Sequence, residues 1–423
     1  RGVNEDIKKP RIYHPKEHGV KRSNISDGAS KVMSTLGKAG YDAYLVGGGV
    51  RDLLLQRNPS DFDVATNATP QQISKIFKRS RLIGRRFKLV HVRACSEIVE
   101  VATFRRNPKS ECNLGKRGIV FQDNDFGSIE EDAIRRDFTI NALYLEFQSM
   151  NIVDYVGGMT DLADRVLRLL GNPKDRFSED PVRILRAVRF SESFDFRMVG
   201  FSESQLRRYG RYLEHIPSAR LFGEIGKLFL RGSGKQTFNS LRCFDLLRYV
   251  LPLTDSVLSS KNTARAERFV LQALSNTDQR VEEGETVTLA FLIAVFLWES
   301  MIKEKEKQSK LLGEDREAAV RAEDLVLHGQ QHKMAIPRRI TNLVREIWQL
   351  QNIFLNPSVR KAEKILKNRR FRAAYNFFFL RAESGEPLSD LIEWWTEFFD
   401  QTVESRKLYF SASRSYKKRT YRK

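Results

Sequence analysis

Two aspartates one residue apart, Asp61 and Asp63, carry the clearest chemistry in this sequence. Positions i and i+2 of a strand point to one face, so the two carboxylates would repel unless cations lay between them. Magnesium or manganese suits such hard oxygen donors and also binds triphosphate oxygens. Two such ions roughly 3.5–4 Å apart can activate a hydroxyl nucleophile and stabilise departing pyrophosphate. An isolated pair of this kind is more often two solvated aspartates in a polar loop. Here it follows Leu45-Val46-Gly47-Gly48-Gly49-Val50-Arg51-Asp52, which reads as a strand, a glycine turn and a helix start. Backbone N–H groups at such a turn can meet phosphate, and Gly47 and Gly48 let the backbone come close to it. Arg51, one turn in, can hold a phosphate or anchor a carboxylate. A dinucleotide fold would need repeated parallel β-α-β units, a pattern not found here.

These residues need elements to hold them. Ser26 to Gly40 reads as a helix, Tyr41 to Val46 as a strand, and Asp61 to Val64 as another. Thr69-Pro70-Gln71-Gln72 opens a helix with a capping box and proline at its first position. Lys88–Val92 and Ile98–Phe104 read as paired strands, and the polar stretch from Arg105 to Asn124 as a flexible loop. The capping box Ser128-Ile129-Glu130-Glu131 opens a helix expected to run through Arg135, Arg136 and Asp137. Asp137 and Asn141, at i and i+4, would then share one helical face. Leu143–Phe147 and Ile152–Tyr155 could pair as a hairpin. After Gly171 strand signals vanish; a helix opens at Ser178-Glu179-Asp180-Pro181, and helical periodicity continues to about Phe399.

The expected fold class is α+β, a small mixed-sheet head followed by an all-helical neck, body and tail. The expected divisions are a flexible basic segment 1–24, a catalytic head 25–170, a neck 171–235, an RNA-binding body 236–400 and a basic tail 401–423. A chain of 423 residues can hold several such cores. Its 73 basic against 53 acidic residues, a formal net charge of +20, point to a polyanionic partner. The longest apolar stretch, Leu289 to Trp298, is shorter than the ~20 residues that span a bilayer and reads as a core helix. Cys95, Cys112 and Cys243 are scattered, with neither a disulfide framework nor paired metal spacing. With no secretory pattern at the start, a cytoplasmic enzyme is expected.

Together, Gly47-Gly48, Arg51, Asp61 and Asp63 resemble the signature of the polymerase-β-type nucleotidyltransferases. LVGGGVRDLLLQRNPSDFDVATNATP is similar to their class II branch, which holds bacterial CCA-adding enzymes and bacterial poly(A) polymerases. Three further segments match in order: RRDFTINAL from Arg135 to Leu143, YVGGMTDL from Tyr155 to Leu162, and EDPVRILRAVRF from Glu179 to Phe190. The resemblance is detailed from about Ile25 to Phe190 and fades through the body. It implies a nucleotide pocket drawing on Asp132, Arg136, Asp137 and Asn141. On the last segment it implies that Asp180 and Arg183 bond the edge of the incoming base, with Arg186 and Arg189 toward phosphate or neighbouring carboxylates. Physically, Arg183, Arg186 and Arg189 recur every three residues and drift slowly around one helical face, with Ile184, Leu185 and Val188 packing opposite. Glu100, on the strand Ile98–Phe104, is the candidate third carboxylate; the alternative is a structural contact with Arg105 or Arg51.

Within the branch, Leu82-Ile83-Gly84-Arg85-Arg86-Phe87-Lys88-Leu89-Val90-His91-Val92 resembles the stretch that sets poly(A) polymerases apart. Arg85 and Arg86 offer charged donors to a primer or triphosphate. From Arg406 to Lys423 there are eight basic residues, Lys417, Lys418 and Arg419 among them, no acidic ones, and interleaved tyrosines. Cations there can meet RNA phosphates and tyrosines can stack on bases. The resemblance thus implies template-independent addition of AMP from ATP to RNA 3′ ends. CCA addition to tRNA is the alternative within enzymes, and an inactive RNA-binding protein the alternative outside them.

Overall fold

The computed structural model describes residues 9–84, 88–106, 125–313 and 315–398. Two compact units follow one another, Arg1–Ile216 and Pro217–Lys423.

The first unit is built on an eight-stranded sheet. Its strands are β1 (Arg11–Tyr13), β2 (Ala43–Val46), β3 (Asp63–Thr66), β4 (Ser80–Ile83), β5 (Leu89–Ala94), β6 (Glu97–Thr103), β7 (Leu143–Glu146) and β8 (Ile152–Asp154). They lie in the order β1-β8-β7-β2-β3-β6-β5-β4. β3 and β6 run parallel, and the other neighbours are antiparallel. On one face packs the helix Asp27–Lys38, whose N-cap Ser26 side chain accepts the Ala29 N–H. Its Ala29, Val32, Met33 and Leu36 recur at helical spacing and meet Leu45, Val64, Val90 and Val101 of the sheet. Each larger aliphatic side chain so buried is worth roughly 1.5–3 kcal/mol. The opposite face carries Val46, Ala65 and Tyr144 with Phe104 and Ala133. β3 is therefore paired on both sides and covered on both faces; Asp63 begins it where β2 ends at Val46.

Several expectations change. Residues 9–24, expected as flexible, include β1, an edge strand pairing with β8 about 140 positions later in sequence, where Ile12 stands opposite Val153. Arg22 holds this segment in place, donating to the Phe147 and Gln148 carbonyls at 2.8 and 3.0 Å and lying over the Phe147 ring. The helix opened by Ser128 stops at Arg135, and Thr139–Asn141 forms a 3-10 turn. Asp180 is not in the first turn of a helix. It ends the helix Pro173–Glu179, Pro181 follows, and the next helix spans Val182–Phe194. The neck is not all-helical either: β10 (Arg197–Val199) pairs in parallel with β9 (Val166–Arg168). Three residues are too few to show an alternating pattern.

The second unit is helical throughout its described residues. Its interior is aromatic: Phe229, Phe238 and Phe296 contact one another, Phe377 packs edge-on to Phe269 and Trp298, and Phe354 meets Phe378 and Trp395. Trp348 and Trp395 are core residues. Their indole N–H groups donate to the Ala294 and Phe354 carbonyls at 3.1 and 3.0 Å. Leu289–Trp298 begins the helix Leu289–Leu312 and is buried from Leu292 to Trp298. Among the described residues no helix is long and apolar enough to cross a membrane.

Candidate active site

Strand register assembles the first half of the site. Tyr144, Val46, Asp63, Glu100 and His91 stand side by side across β7, β2, β3, β6 and β5. Residues directly opposite in a ladder share a face, so Asp63 and Glu100 present their carboxylates together. Asp61 lies just before β3 and is exposed, whereas Asp63 is half-buried. Burial, with repulsion from Glu100 and Asp61, pushes the Asp63 carboxyl up to about 6 against the opposing charge of Arg136. Negative charge is thus held where it is poorly compensated. Glu100 shares a hydrogen bond with His91, Oε1 to Nε2 at 3.0 Å. His91 stands opposite Glu100 in the ladder and so belongs to the same row.

Among the described residues no three His, Cys, Asp or Glu side chains converge as a ready-made metal cage. Magnesium does not require one: it is commonly held by one or two carboxylates plus substrate phosphates and water. Asp61 and Asp63 fit that pattern by donor chemistry and by their excess negative charge.

The glycine turn lies beside this row. Gly47, N-cap of the helix Gly48–Leu54, has φ 68° and ψ −132°, a backbone that a side chain strongly disfavours. Arg51 is only 6% exposed. It donates from Nε and Nη2 to Asp52 at 2.9 and 2.7 Å, and from Nη1 to Asn141 Oδ1 at 2.7 Å. The Phe190 and Phe194 rings lie against its guanidinium at 4.9 and 4.5 Å. Arg51 thus anchors the Asp52 carboxylate.

From Asn141 the network continues. Its Nδ2 donates to Asp137 Oδ1 at 3.1 Å, and Arg186 donates to Asp137 Oδ2 at 2.6 Å. Burial alone would raise the Asp137 carboxyl, but Arg186 and hydrogen bonds from Asn141 and the Phe138 N–H bring it down to about 2. Asp137 and Asn141 meet through a 3-10 turn rather than along one α-helix. A second network joins Asp132, Arg136 and Tyr144. Arg136 Nε donates to Tyr144 Oη at 2.9 Å and its Nη2 to Asp132 Oδ2 at 3.0 Å, while Tyr144 donates to the same oxygen at 2.7 Å.

Arg183 is buried on the helix Val182–Phe194. Its Nη1 donates to Glu179 Oε2 at 2.5 Å and to the Arg176 carbonyl at 2.8 Å. Arg176 also binds Glu179, at 2.7 Å, and donates to the Arg135 and Arg136 carbonyls. Asp180 accepts the Val182 N–H at 3.3 Å, and Arg189 lies over the Phe190 ring at 4.2 Å. Asp52, Tyr144, Arg176, Glu179, Phe190 and Phe194 were absent from the sequence-based site. Asp52 and Glu179 adjoin residues that were named; Tyr144 carried no local signal. Arg85, Arg86, Lys417, Lys418, Arg419 and the stretch 107–124 lie outside the described residues.

Known proteins resolve the family. Residues 43–168 match the poly A polymerase head domain, 195–258 the probable RNA and SrmB-binding site of polymerase A, and 313–423 the polymerase A arginine-rich C-terminus. Poly(A) polymerase I of Salmonella typhi is 44% identical over 396 residues, 92% of this chain and 85% of that protein. The chain belongs to the poly(A) polymerase family. A CCA-adding enzyme of Anoxybacillus flavithermus is 38% identical over 202 residues, 48% of this chain and 50% of that enzyme. The fold is shared more widely. The solved Thermotoga maritima CCA-adding enzyme complexed with tRNA aligns with TM-score 0.60 at 21% identity, covering 92% of this chain and 85% of that one. The poly(A) polymerase likeness therefore extends through the helical unit, whereas the Anoxybacillus flavithermus CCA-adding enzyme is matched over about half the chain.

Proposed function

We infer that this chain is a polynucleotide adenylyltransferase that adds AMP from ATP to RNA 3′ ends without a template. The observation that carries the reading is 44% identity to a poly(A) polymerase I over 92% of the chain. In the reaction the RNA 3′-oxygen attacks the α-phosphorus of ATP, and the bond to the bridging oxygen of the β-phosphate breaks. Pyrophosphate leaves, and the new 3′-hydroxyl can react again.

Asp61 and Asp63 would hold divalent cations, magnesium in preference to manganese, with Glu100 beside them. When bound, such cations favour the 3′-alkoxide and neutralise charge on the departing pyrophosphate. The N–H groups at Gly47 and Gly48 face triphosphate oxygens. Arg51 acts through its partners, fixing Asp52 and Asn141. Arg136, Asp132, Asp137 and Asn141 shape the nucleotide pocket. Asp180 and Arg183 read adenine: the Arg183 Nη1 is engaged by Glu179, and its other donors suit a base edge. Arg186 is held by Asp137 and Arg189 stacks on Phe190, so both orient the recognition helix. Arg85, Arg86, Lys417, Lys418 and Arg419 supply charge toward RNA. We assign the reaction to the cytoplasm, where, by the family resemblance, tails of this kind in bacteria promote RNA decay.

The test is extension of a labelled oligo(A) RNA with magnesium and each nucleoside triphosphate in turn. A long ladder with ATP alone is expected. Addition of CTP and ATP to truncated tRNA, with no ladder on oligo(A), would overturn the reading in favour of CCA addition.

A further inference from the structure

We propose that a cleft in the second unit, between the helices Asp315–Gln331 and Arg338–Leu355, binds the phosphodiester backbone of single-stranded RNA. The proposal rests on the reading of the chain as an enzyme acting on RNA and assigns that substrate a second contact. The cleft has a volume of about 500 Å³, with Arg321, Asp324, Leu325, His328, Arg338 and Arg345 in its walls. Helical spacing explains the arrangement. Arg321, Asp324, Leu325 and His328 recur at intervals of three and four on the first helix, and Arg338 and Arg345 lie seven apart on the second. Arg345 is tied to Asp324 across the gap, which joins the helices and neutralises the acidic residue in the walls. Arg321 and Arg338 are exposed and have no ion-pair partner among the described residues.

The local sequence sharpens the charge. From Leu325 to Arg345 there are four lysines and arginines, two histidines and no aspartate or glutamate. Guanidinium groups bind phosphate oxygens through paired N–H donors. Leu325, 39% exposed, and the His328 ring, packed against His332 at 4.6 Å, offer apolar and flat surface for a ribose or base. A concave slot with cations on both walls and an apolar patch suits a nucleotide strand. A lipid surface would want a flat or convex face.

The experiment measures affinity of the full chain for a labelled single-stranded RNA across a range of salt. Three proteins are compared: wild type, Arg321→Ala with Arg338→Ala, and a comparator with Lys261→Ala and Lys310→Ala. The comparator removes two exposed charges from the same unit outside the cleft. The cleft variant is expected to bind on the order of tenfold more weakly, with a salt slope shallower by about 1 to 1.5 and an unchanged melting temperature. The comparator should lose less than about twofold, as screened surface charges do. Equal losses in the two variants, or none in either, would overturn the proposal. A parallel arm uses inorganic pyrophosphate as the probe. If the cleft variant loses pyrophosphate-induced thermal stabilisation but keeps its RNA affinity, the cleft takes small anions and the proposal fails. A wild-type protein that binds RNA yet extends nothing with ATP would instead sink the enzymatic reading and leave the cleft result standing.

Discussion

The two units use charge in opposite ways. In the first, arginines and carboxylates are taken out of water: Arg51, Arg183, Arg176, Asp132, Asp154 and Asp161 are all at most 9% exposed. Each has partners, and several chains of partners run between the glycine turn and the helix Val182–Phe194. In the second unit the interior is built from phenylalanine and tryptophan, with few buried charges; Arg381, held by Glu386 at 2.7 Å, is one. The cations of the cleft between Asp315–Gln331 and Arg338–Leu355 stay at the surface. The difference teaches where order is required. Reading a base and placing a phosphate need donors fixed before the substrate arrives. Holding a strand of any sequence needs only accessible charge and stacking surface.

The contrast can be broken most directly at its acidic end. Asp61→Ala is expected to lower AMP transfer by about 10³-fold or more, roughly 4 kcal/mol in the barrier, with an unchanged circular dichroism spectrum. Near-normal primer extension would remove the metal assignment. In the second unit, Phe377→Ala empties a site enclosed by Phe269, Trp298 and Phe291. It should cost about 3–5 kcal/mol in denaturant unfolding, while transfer by the molecules still folded changes little. A selective loss of transfer with stability intact would show that this core does more than support.

Asp137→Asn tests the buried network. With the Asp137 carboxyl at about 2 in the fold, below the ordinary value for aspartate, the charge contributes stability at pH above about 4 and loses it as pH falls toward 2. The shift corresponds to roughly 2 kcal/mol. The variant should therefore be less stable than wild type at pH 7, with the gap narrowing steadily below pH 4. A gap that stays constant with pH would mean that Arg186 does not depend on this carboxylate.

An effect of similar size has the opposite sign. Asp63 is pushed up to about 6, so its ionisation costs stability as pH rises from about 4 to 6, and the cost remains above that. Without metal, Asp63→Asn should be more stable than wild type at pH 8, by up to about 3 kcal/mol, and close to it below about pH 4. Added magnesium should raise the melting temperature of wild type more than that of the variant. If the metal-free variant is no more stable at pH 8, the carboxylates are better compensated than the register implies.

Much of the site was legible because its signals are local. Asp61 and Asp63 stand two apart, and Thr69 and Ser128 cap their helices with Gln72 and Glu131, as those short patterns indicate. Gly47 takes a positive φ at the turn. The misread parts were those in which a short segment is held by something remote. β1 has three residues and no pattern of its own, and it is ordered by β8. Asp180 was read as opening a helix because Ser178-Glu179-Asp180-Pro181 resembles a start. A helix already running from Pro173 ends there, and the next begins two residues on, at Val182.

By itself the sequence determined the residue types and their spacing: the paired aspartates, the glycine turn, the arginines every third position and the long helical run. It also carried the likeness to one branch of nucleotidyltransferases, because the motifs in order are themselves sequence. Only the tertiary structure decided which charges meet. Arg51 finds Asn141 across 90 positions, and Arg186 finds Asp137 across 49. Glu100 reaches the side of Asp63 because β3 and β6 pair in parallel in one register, and a slip of one residue would turn it to the other face. Such partners are chosen by how the apolar faces pack and which strands lie adjacent. Those choices depend on the whole chain at once, so no local pattern of charge reveals them.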